Sequence, residues 1–215
     1  KEEIESVLEV AARLKMERAL GIRHPLLEDK VLAMLFFFSS TRTRASFEAG
    51  MAQLGGTPLI LNSQELQIKR GESLADTART LSQYVDGIMI RTFDHREVEE
   101  LARCATIPVI NGLTDLSHPC QVLADLLTVL ERKGRLAGLK GCYIGDGNNV
   151  CHSLMHGAAL AGSRLTVITP PGQSPLAEVM SRRSLRLPAR ARSENAASSR
   201  STARSPCQMD GLTAM

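Results

Sequence analysis

Hydroxyl and guanidinium side chains crowd one short segment between a predicted strand and a predicted helix. Shortly after the apolar run 31–38 the chain reads Ser40-Thr41-Arg42-Thr43-Arg44. A helix start offers unpaired backbone N–H groups and a positive dipole end, and hydroxyl and guanidinium donors suit a tetrahedral oxyanion. A serine or threonine cap beside solvated arginines is the ordinary alternative. Two arginines interleaved with threonines after a buried strand favour a phosphate-binding segment.

Two more places along the chain carry side chains of matching chemistry. Arg91 follows the apolar run 87–90, and ligands of open parallel sheets bind beyond the carboxyl ends of strands. His118 precedes Pro119, which is well placed in the first turn of a helix, and such a position favours a neutral imidazole. That imidazole can donate to a developing oxyanion, while Gln121 offers a donor and an acceptor to an amide-like group. Each residue alone is equally well explained as a surface or capping residue, so the prediction depends on their combination.

Alternating strands and helices predict the α/β fold that must position these residues. We expect a parallel sheet flanked by helices over residues 1–133, followed by an incomplete second Rossmann-like α/β domain over 134–180. The polar stretch 134–140 is the predicted boundary. The predicted strands are 31–38, 58–61, 87–90, 107–110, 141–145 and 165–169, and the predicted helices are 3–19, a helix after 44 that stops at 55–56, 74–84, 97–104, 119–132 and 151–161.

Composition indicates a globular enzyme whose last 35 residues, 181–215, differ in composition from the rest of the chain. Of 215 residues 43% are hydrophobic, without an apolar run long enough to cross a membrane and without a signal peptide, so we expect a cytoplasmic protein. The five cysteines are odd in number and show no CxxC pair, which favours reduced thiols. Residues 1–180 are mildly acidic and give no indication of nucleic-acid binding. Residues 181–215 form an Arg/Ser/Ala-rich tail without apolar periodicity, which predicts disorder.

Three motifs, in this order along the chain, resemble the aspartate/ornithine transcarbamoylase family. Phe47-Glu48 follows the 40–44 segment, His118-Pro119-Cys120-Gln121 precedes the sequence LADLLT, and Gly145-Asp146-Gly147-Asn148-Asn149 precedes His152-Ser153-Leu154. The first two motifs are typical of carbamoyl-phosphate use, and the third is similar to the ornithine branch. The resemblance spans residues 1–180.

This resemblance implies transfer of the carbamoyl group of carbamoyl phosphate to the side-chain amine of ornithine, giving citrulline and phosphate in arginine biosynthesis. It implies no cofactor, no metal and a homotrimer or a multiple of trimers, because Gln67 resembles a residue that reaches into the neighbouring subunit's site. By position, the phosphate would be held by Ser40, Thr41, Arg42 and Thr43, the carbamoyl end by Arg91, His118 and Gln121, the oxyanion by Thr43, Arg91 and His118, and ornithine by Asn149.

Two departures from the family pattern leave alternatives open. Phe37 and Phe38 stand where the family has a charged pair, and the family's late acceptor-binding motifs do not follow Met180. We therefore expect a chain that is truncated or out of frame after about residue 180. Another acceptor, namely putrescine, N-acetylornithine or aspartate, and an inactive carbamoyl-phosphate-binding fragment are the alternatives.

Other functions find weaker support. The run 145–150 partly mimics the dinucleotide motif GxGxxG, but Val150 occupies the third glycine position. His152 and His156 have a metal-chelating spacing, although no glutamate follows His152 as it does in zinc proteases. The basic tail could contact nucleic acid or an acidic partner.

Overall fold

Two parallel sheets carry the predicted elements in the computed structural model, which describes residues 2–181. The first part of the chain contains α1 (Glu2–Ala19), β1 (Val31–Phe36), α2 (Thr41–Gln53), β2 (Thr57–Asn62), a 3-10 turn (Gln67–Arg70), α3 (Leu74–Leu81), β3 (Gly87–Arg91), α4 (His95–Cys104), β4 (Val109–Leu113) and α5 (Pro119–Lys133). The second contains β5 (Lys140–Ile144), α6 (Asn149–Leu160), β6 (Arg164–Ile168) and α7 (Ala177–Ser181).

The larger sheet has the strand order β2-β1-β3-β4, and all its neighbours are parallel. Successive side chains of β1 point to opposite faces, so Leu35 packs with Ile88 and Ile90 on one face and Met34 packs with Met89 on the other. Five of the six residues of β1 are buried. A strand that is covered on both faces reads as a continuous apolar run, which explains the run at 31–38 and confirms the predicted α/β class.

Register places the candidate residues at one edge of this sheet. Phe36, the last residue of β1, pairs with Asn62 on β2 and with Arg91 on β3. The connections that follow β1 and β3 therefore leave the sheet side by side. This is the edge at which parallel α/β sheets bind ligands.

The predicted elements differ from the observed ones mainly at their ends. The 40–44 segment was expected to precede its helix, yet α2 begins at Thr41, because the helix start itself can use hydroxyl-bearing residues. Strand β4 begins two residues later than predicted and continues to Leu113. Helix α7 was not predicted. Of the predicted tail 181–215, all but Ser181 lies outside the described residues.

The smaller sheet pairs β5 with β6, and α6 connects them. Cys151 and Met155 of α6 pack with Val179 of α7 in a separate apolar cluster. On its other side α6 lies against α5, and a Cβ on Gly157 would lie 2.5 Å from Cγ1 of Val122. Glycine therefore permits the close approach of these two helices. Between residues 2 and 181 the structure contains no helix with the length and apolarity of a membrane span.

Candidate functional site

The start of α2 presents donors that the helix itself does not use. The Arg44 N–H donates to the Ser40 carbonyl at 3.3 Å, which is the first bond of the helix. The N–H groups of the three preceding residues consequently have no helical acceptor. Ser40 is the N-cap residue, with extended backbone angles of φ −152° and ψ 103°, and its hydroxyl makes no capping bond. The chain thus combines backbone donors, a free hydroxyl and a positive helix end, which suits an anion.

Arg91 is oriented toward this helix start by two neighbours. Its Nη1 donates to Thr43 Oγ1 at 2.6 Å, and its guanidinium carbon lies 5.0 Å from the ring centroid of Phe38. The Phe38 ring stacks in turn on Phe93, with the ring centroids 4.5 Å apart. Burial lowers the pKa of Arg91, and the nearby positive charge of Arg42 lowers it further. Since guanidinium groups stay charged in proteins, the site keeps two close cations that an anion can neutralise.

His118 lies at the start of α5 and faces the same charges. Burial lowers the pKa of His118, the Arg91 charge lowers it further, and Asp125 opposes the change. The imidazole is therefore held in its neutral form. His118 Nδ1 and Arg91 Nε are both buried without a hydrogen-bond partner in residues 2–181. Buried polar atoms normally have partners, so these two atoms are available to a small polar ligand.

The remaining predicted residues lie in three different environments. Gln121 is exposed one turn into α5, and its Nε2 donates to Asp125 Oδ1 at 2.9 Å. Asn149 opens α6, and its Nδ2 donates to the Thr114 carbonyl at 2.5 Å. Gln67 is exposed on the 3-10 turn after β2. The structure thus brings the 40–44 segment together with Arg91 and His118, whereas the role of Gln67 stays a prediction.

A cavity of about 370 Å³ opens beside the α2 start, on the side of β2. Ser40 and Thr41 contribute to its wall, so the 40–44 segment is accessible from that side. The other lining residues are Phe36, Ser39, Arg44, Ala45, Glu48 and Asn62.

The glycine-rich 145–149 run packs against protein rather than presenting an open nucleotide cradle. Gly147 N–H donates to the Gln173 carbonyl at 2.7 Å, and a Cβ at this position would overlap the backbone of Pro175. Asn148 caps α6 by accepting from the N–H groups of Val150 and Cys151. The glycine is therefore needed for the close approach of the 173–175 backbone.

His152 uses both ring nitrogens within the fold. Its Nε2 accepts from the Leu176 N–H at 3.1 Å, so Nδ1 carries the proton and donates to the Leu116 carbonyl at 3.0 Å. Neither nitrogen keeps a lone pair for a metal. The metal hypothesis for the pair of histidines at 152 and 156 is therefore not supported.

Sequence reasoning did not identify Phe38, Phe93 and Ser153 as parts of the site. Phe38 is a departure from the family pattern, and it stacks on Arg91. Ser153 belongs to the 152–154 motif, and its Oγ accepts from the His118 N–H at 2.8 Å. A local pattern carries no signal for such contacts, because both depend on which distant segments the fold brings together.

The charges around His118 predict opposite effects of two substitutions. Asp125→Asn should lower the pKa of His118 further, because it removes the carboxylate that raises it, while Arg91→Met should raise it. Histidine side-chain NMR over a pH series measures both shifts. Shifts of the same sign in both variants would contradict this electrostatic account.

The same pKa shift affects the stability of the fold. Since folding lowers the pKa of His118 below its ordinary 6.5, the unfolded chain binds more protons, and His118 makes the fold less stable as the pH falls through 6.5.

Comparison with known families agrees with this geometry. Residues 1–131 match the carbamoyl-P binding domain of aspartate/ornithine carbamoyltransferases, and residues 137–200 match the Asp/Orn binding domain. An ornithine carbamoyltransferase from Carboxydothermus hydrogenoformans is 61% identical over 174 residues, which are 81% of this chain and 56% of the relative. One from Thermococcus kodakarensis is 57% identical over 175 residues, again 81% and 56%. This chain therefore spans just over half the length of these relatives.

Solved structures show the same likeness. Ornithine carbamoyltransferase from Pyrococcus furiosus superimposes with a TM-score of 0.81 at 55% identity, covering 83% of this chain and 57% of that one. The catalytic subunit of M. Jannaschii aspartate transcarbamoylase gives a TM-score of 0.75 at 31% identity, covering 84% and 60%.

Proposed function

Because the chain belongs to the aspartate/ornithine carbamoyltransferase family, we propose that it binds carbamoyl phosphate and transfers the carbamoyl group to the side-chain amine of ornithine, giving citrulline and phosphate. One observation carries the proposal. Arg91 Nε and His118 Nδ1, two buried atoms without partners in the described part of the chain, belong to residues that surround a helix start with free donors. A small anion with a carbonyl group would satisfy both kinds of donor at once.

The proposed mechanism needs positioning and fixed charges rather than a covalent intermediate. The α2 start, with Ser40, Thr41, Arg42 and Thr43, holds the phosphate. The neutral amine of ornithine attacks the carbonyl carbon, and Thr43, Arg91 and His118 stabilise the oxyanion that forms. Phosphate then leaves, taking up the proton that the attacking amine loses, with its charge already balanced by Arg42 and the helix dipole. Gln121 binds the carbamoyl amide through its Oε1, which the bond from its Nε2 to Asp125 leaves available.

Ornithine is the proposed acceptor, and Asn149 is its proposed first contact. Curated relatives named ornithine carbamoyltransferase reach 61% identity to this chain, and solved structures of that name include values from 33 to 55%, against 31% for the aspartate transcarbamoylase structure. Asn149 Nδ2 is engaged by the Thr114 carbonyl, which orients the amide and leaves its oxygen available to a donor.

The same proposal includes a metabolic pathway, a cellular compartment, an oligomeric state and a domain boundary. We place the reaction in arginine biosynthesis, which the name of an anabolic relative from Pyrococcus furiosus supports. We place the chain in the cytoplasm, where the four described cysteines, all free thiols, would stay reduced. A homotrimer with Gln67 at the neighbouring site fits the exposure of that residue. The boundary between a carbamoyl-phosphate domain (1–133) and an acceptor domain (from 134) fits the gap between the two family matches, at residues 131 and 137.

A competition assay tests the function directly. The purified chain is given carbamoyl phosphate with ornithine, putrescine, N-acetylornithine and aspartate in turn, and each carbamoylated product is quantified. We expect citrulline to form fastest, and faster carbamoylation of any other acceptor would contradict the choice of ornithine. Sedimentation equilibrium on the same sample should give three times the chain mass.

An inactive binding fragment is the second candidate, since the chain spans only 56% of its relatives. Calorimetry with phosphonoacetamide separates the two candidates, because a methylene replaces the bridging oxygen of carbamoyl phosphate and no transfer can occur. Binding of this compound without citrulline formation would indicate the fragment. Absence of both would contradict the carbamoyl-phosphate site itself.

A further inference from the structure

Helix α6 holds the backbone that carries His118. We propose that Ser153 is a positioning residue for His118, acting with two neighbours on the same helix face to fix the 114–118 segment. This inference rests on the proposed function, because Ser153 would orient the His118 imidazole toward the carbamoyl group of the bound ligand.

Three side chains of α6 contact the 114–118 segment at alternate residues. Positions 149, 152 and 153 lie on one face of a helix, since residues three and four apart are neighbours there. The contacts join Asn149 Nδ2 to the Thr114 carbonyl (2.5 Å), His152 Nδ1 to the Leu116 carbonyl (3.0 Å) and the His118 N–H to Ser153 Oγ (2.8 Å). One rigid element therefore sets the path of the whole connection between β4 and α5.

Burial makes these contacts hard to exchange for water. Ser153 is 6% exposed and His152 is 3% exposed. His152 is held from its other side by the Leu176 N–H, which fixes the tautomer that donates to Leu116. The His118 N–H is partly buried, and a donor of this kind that loses its acceptor is only partly compensated by water, so it depends on Ser153.

Fixing the N–H of His118 also fixes the direction of its side chain. His118 has φ −135° and ψ 71°. Pro119 restricts the backbone of the preceding residue, which limits ψ, and the bond to Ser153 limits φ. With both angles held, the Cα–Cβ bond has one direction, and only the side-chain torsions of His118 remain free.

The packing of α5 on α6 keeps Ser153 opposite His118. Ser153 lies opposite His118, and Gly157, four residues on, lies opposite Val122. Ala161 and Leu126, four residues further on, share one apolar cluster. The helices therefore run in the same direction and in register, and a shift of α6 would move Ser153 away from His118. The helix that carries the proposed acceptor contact Asn149 is thus coupled to the proposed oxyanion donor.

The test compares two ligands on two serine variants. Inorganic phosphate requires only the α2 start, whereas phosphonoacetamide also requires His118. Ser153→Ala should weaken phosphonoacetamide binding about tenfold, as expected if the displaced imidazole loses one hydrogen bond to the ligand, and should leave phosphate binding unchanged. Ser163→Ala is the matched control, because Ser163 Oγ also bonds a backbone atom of a distant segment, donating to the Leu136 carbonyl at 2.7 Å in the connection between α5 and β5. It should change neither affinity. Calorimetry gives all four values.

Equal weakening of both ligands by Ser153→Ala would indicate a purely structural role and would overturn the proposal, as would unchanged binding of both. Ser153→Cys keeps a weak acceptor at nearly the same volume and should give an intermediate loss, and it carries the test if the alanine variant does not fold. Failure of the proposed function is a separate result, in which the unmodified chain binds phosphonoacetamide no better than phosphate. In that case histidine side-chain NMR decides: a His118 ring signal displaced by Ser153→Ala but not by Ser163→Ala supports positioning, and an undisplaced signal overturns it.

Discussion

Arg91→Met is expected to reduce the turnover number for citrulline formation about 100- to 1,000-fold, the usual loss when one preorganised donor to an oxyanion is removed. Arg91 combines three properties that methionine lacks: a charge, a bond to Thr43 and an Nε without a partner in residues 2–181. Methionine keeps an unbranched apolar stem at this position, so the change removes the donors and the charge, including the stacking of the guanidinium on Phe38. Steady-state kinetics with carbamoyl phosphate and ornithine measure the effect.

Arg103→Met is the matched control, because Arg103 is an exposed arginine on the helix that follows Arg91. It should retain turnover within about twofold, as surface substitutions generally change little. Phosphate binding to the Arg91 variant should fall much less than turnover, since the α2 start keeps its own donors. Near-normal turnover in the Arg91 variant would contradict its role at the oxyanion.

Much of the fold could be predicted because buried parallel strands leave a simple pattern. The runs at 31–38 and 87–90 are apolar without alternation, and the structure buries them as β1 and β3 at the centre of the sheet. Strand β4 was displaced by two residues in the prediction. It is only partly buried, and the polar and glycine residues Asn111 and Gly112 interrupt its apolar pattern.

The clustering of the candidate anion-binding residues was also accessible from sequence, because they belong to one helix start and to the ends of predicted strands. Ser40 to Thr43 and Arg91 could be placed at one sheet edge because each follows a predicted parallel strand at its carboxyl end. The stacking of Phe38 on Arg91 could not, since a replacement of charged residues by phenylalanine does not indicate what the ring contacts. Likewise the motif that contains Ser153 does not indicate its partner, because its bond to His118 joins residues 35 positions apart.

Within residues 2–181, side-chain truncation should lower the free energy of unfolding most at the centre of the larger sheet. Leu35→Ala is expected to lower the free energy of unfolding by about 2–5 kcal/mol, through lost apolar burial and the cavity that remains. Leu35 is 0% exposed and packs with residues of β3 and of the helices on that face. A central strand covered on both faces has little freedom to collapse around a missing isobutyl group. Urea denaturation followed by circular dichroism measures the change.

Leu20→Ala is the control for this stability prediction, because Leu20 is 68% exposed and the same atoms are removed from it. It should change the free energy of unfolding by less than about 0.5 kcal/mol. Leu35 packs in the core and does not line the α2 start. Leu35→Ala should therefore lower the free energy of unfolding while the molecules that remain folded keep their affinity for phosphate. A loss below about 1 kcal/mol would mean that the structure repacks around the missing side chain and would contradict the expected rigidity of β1.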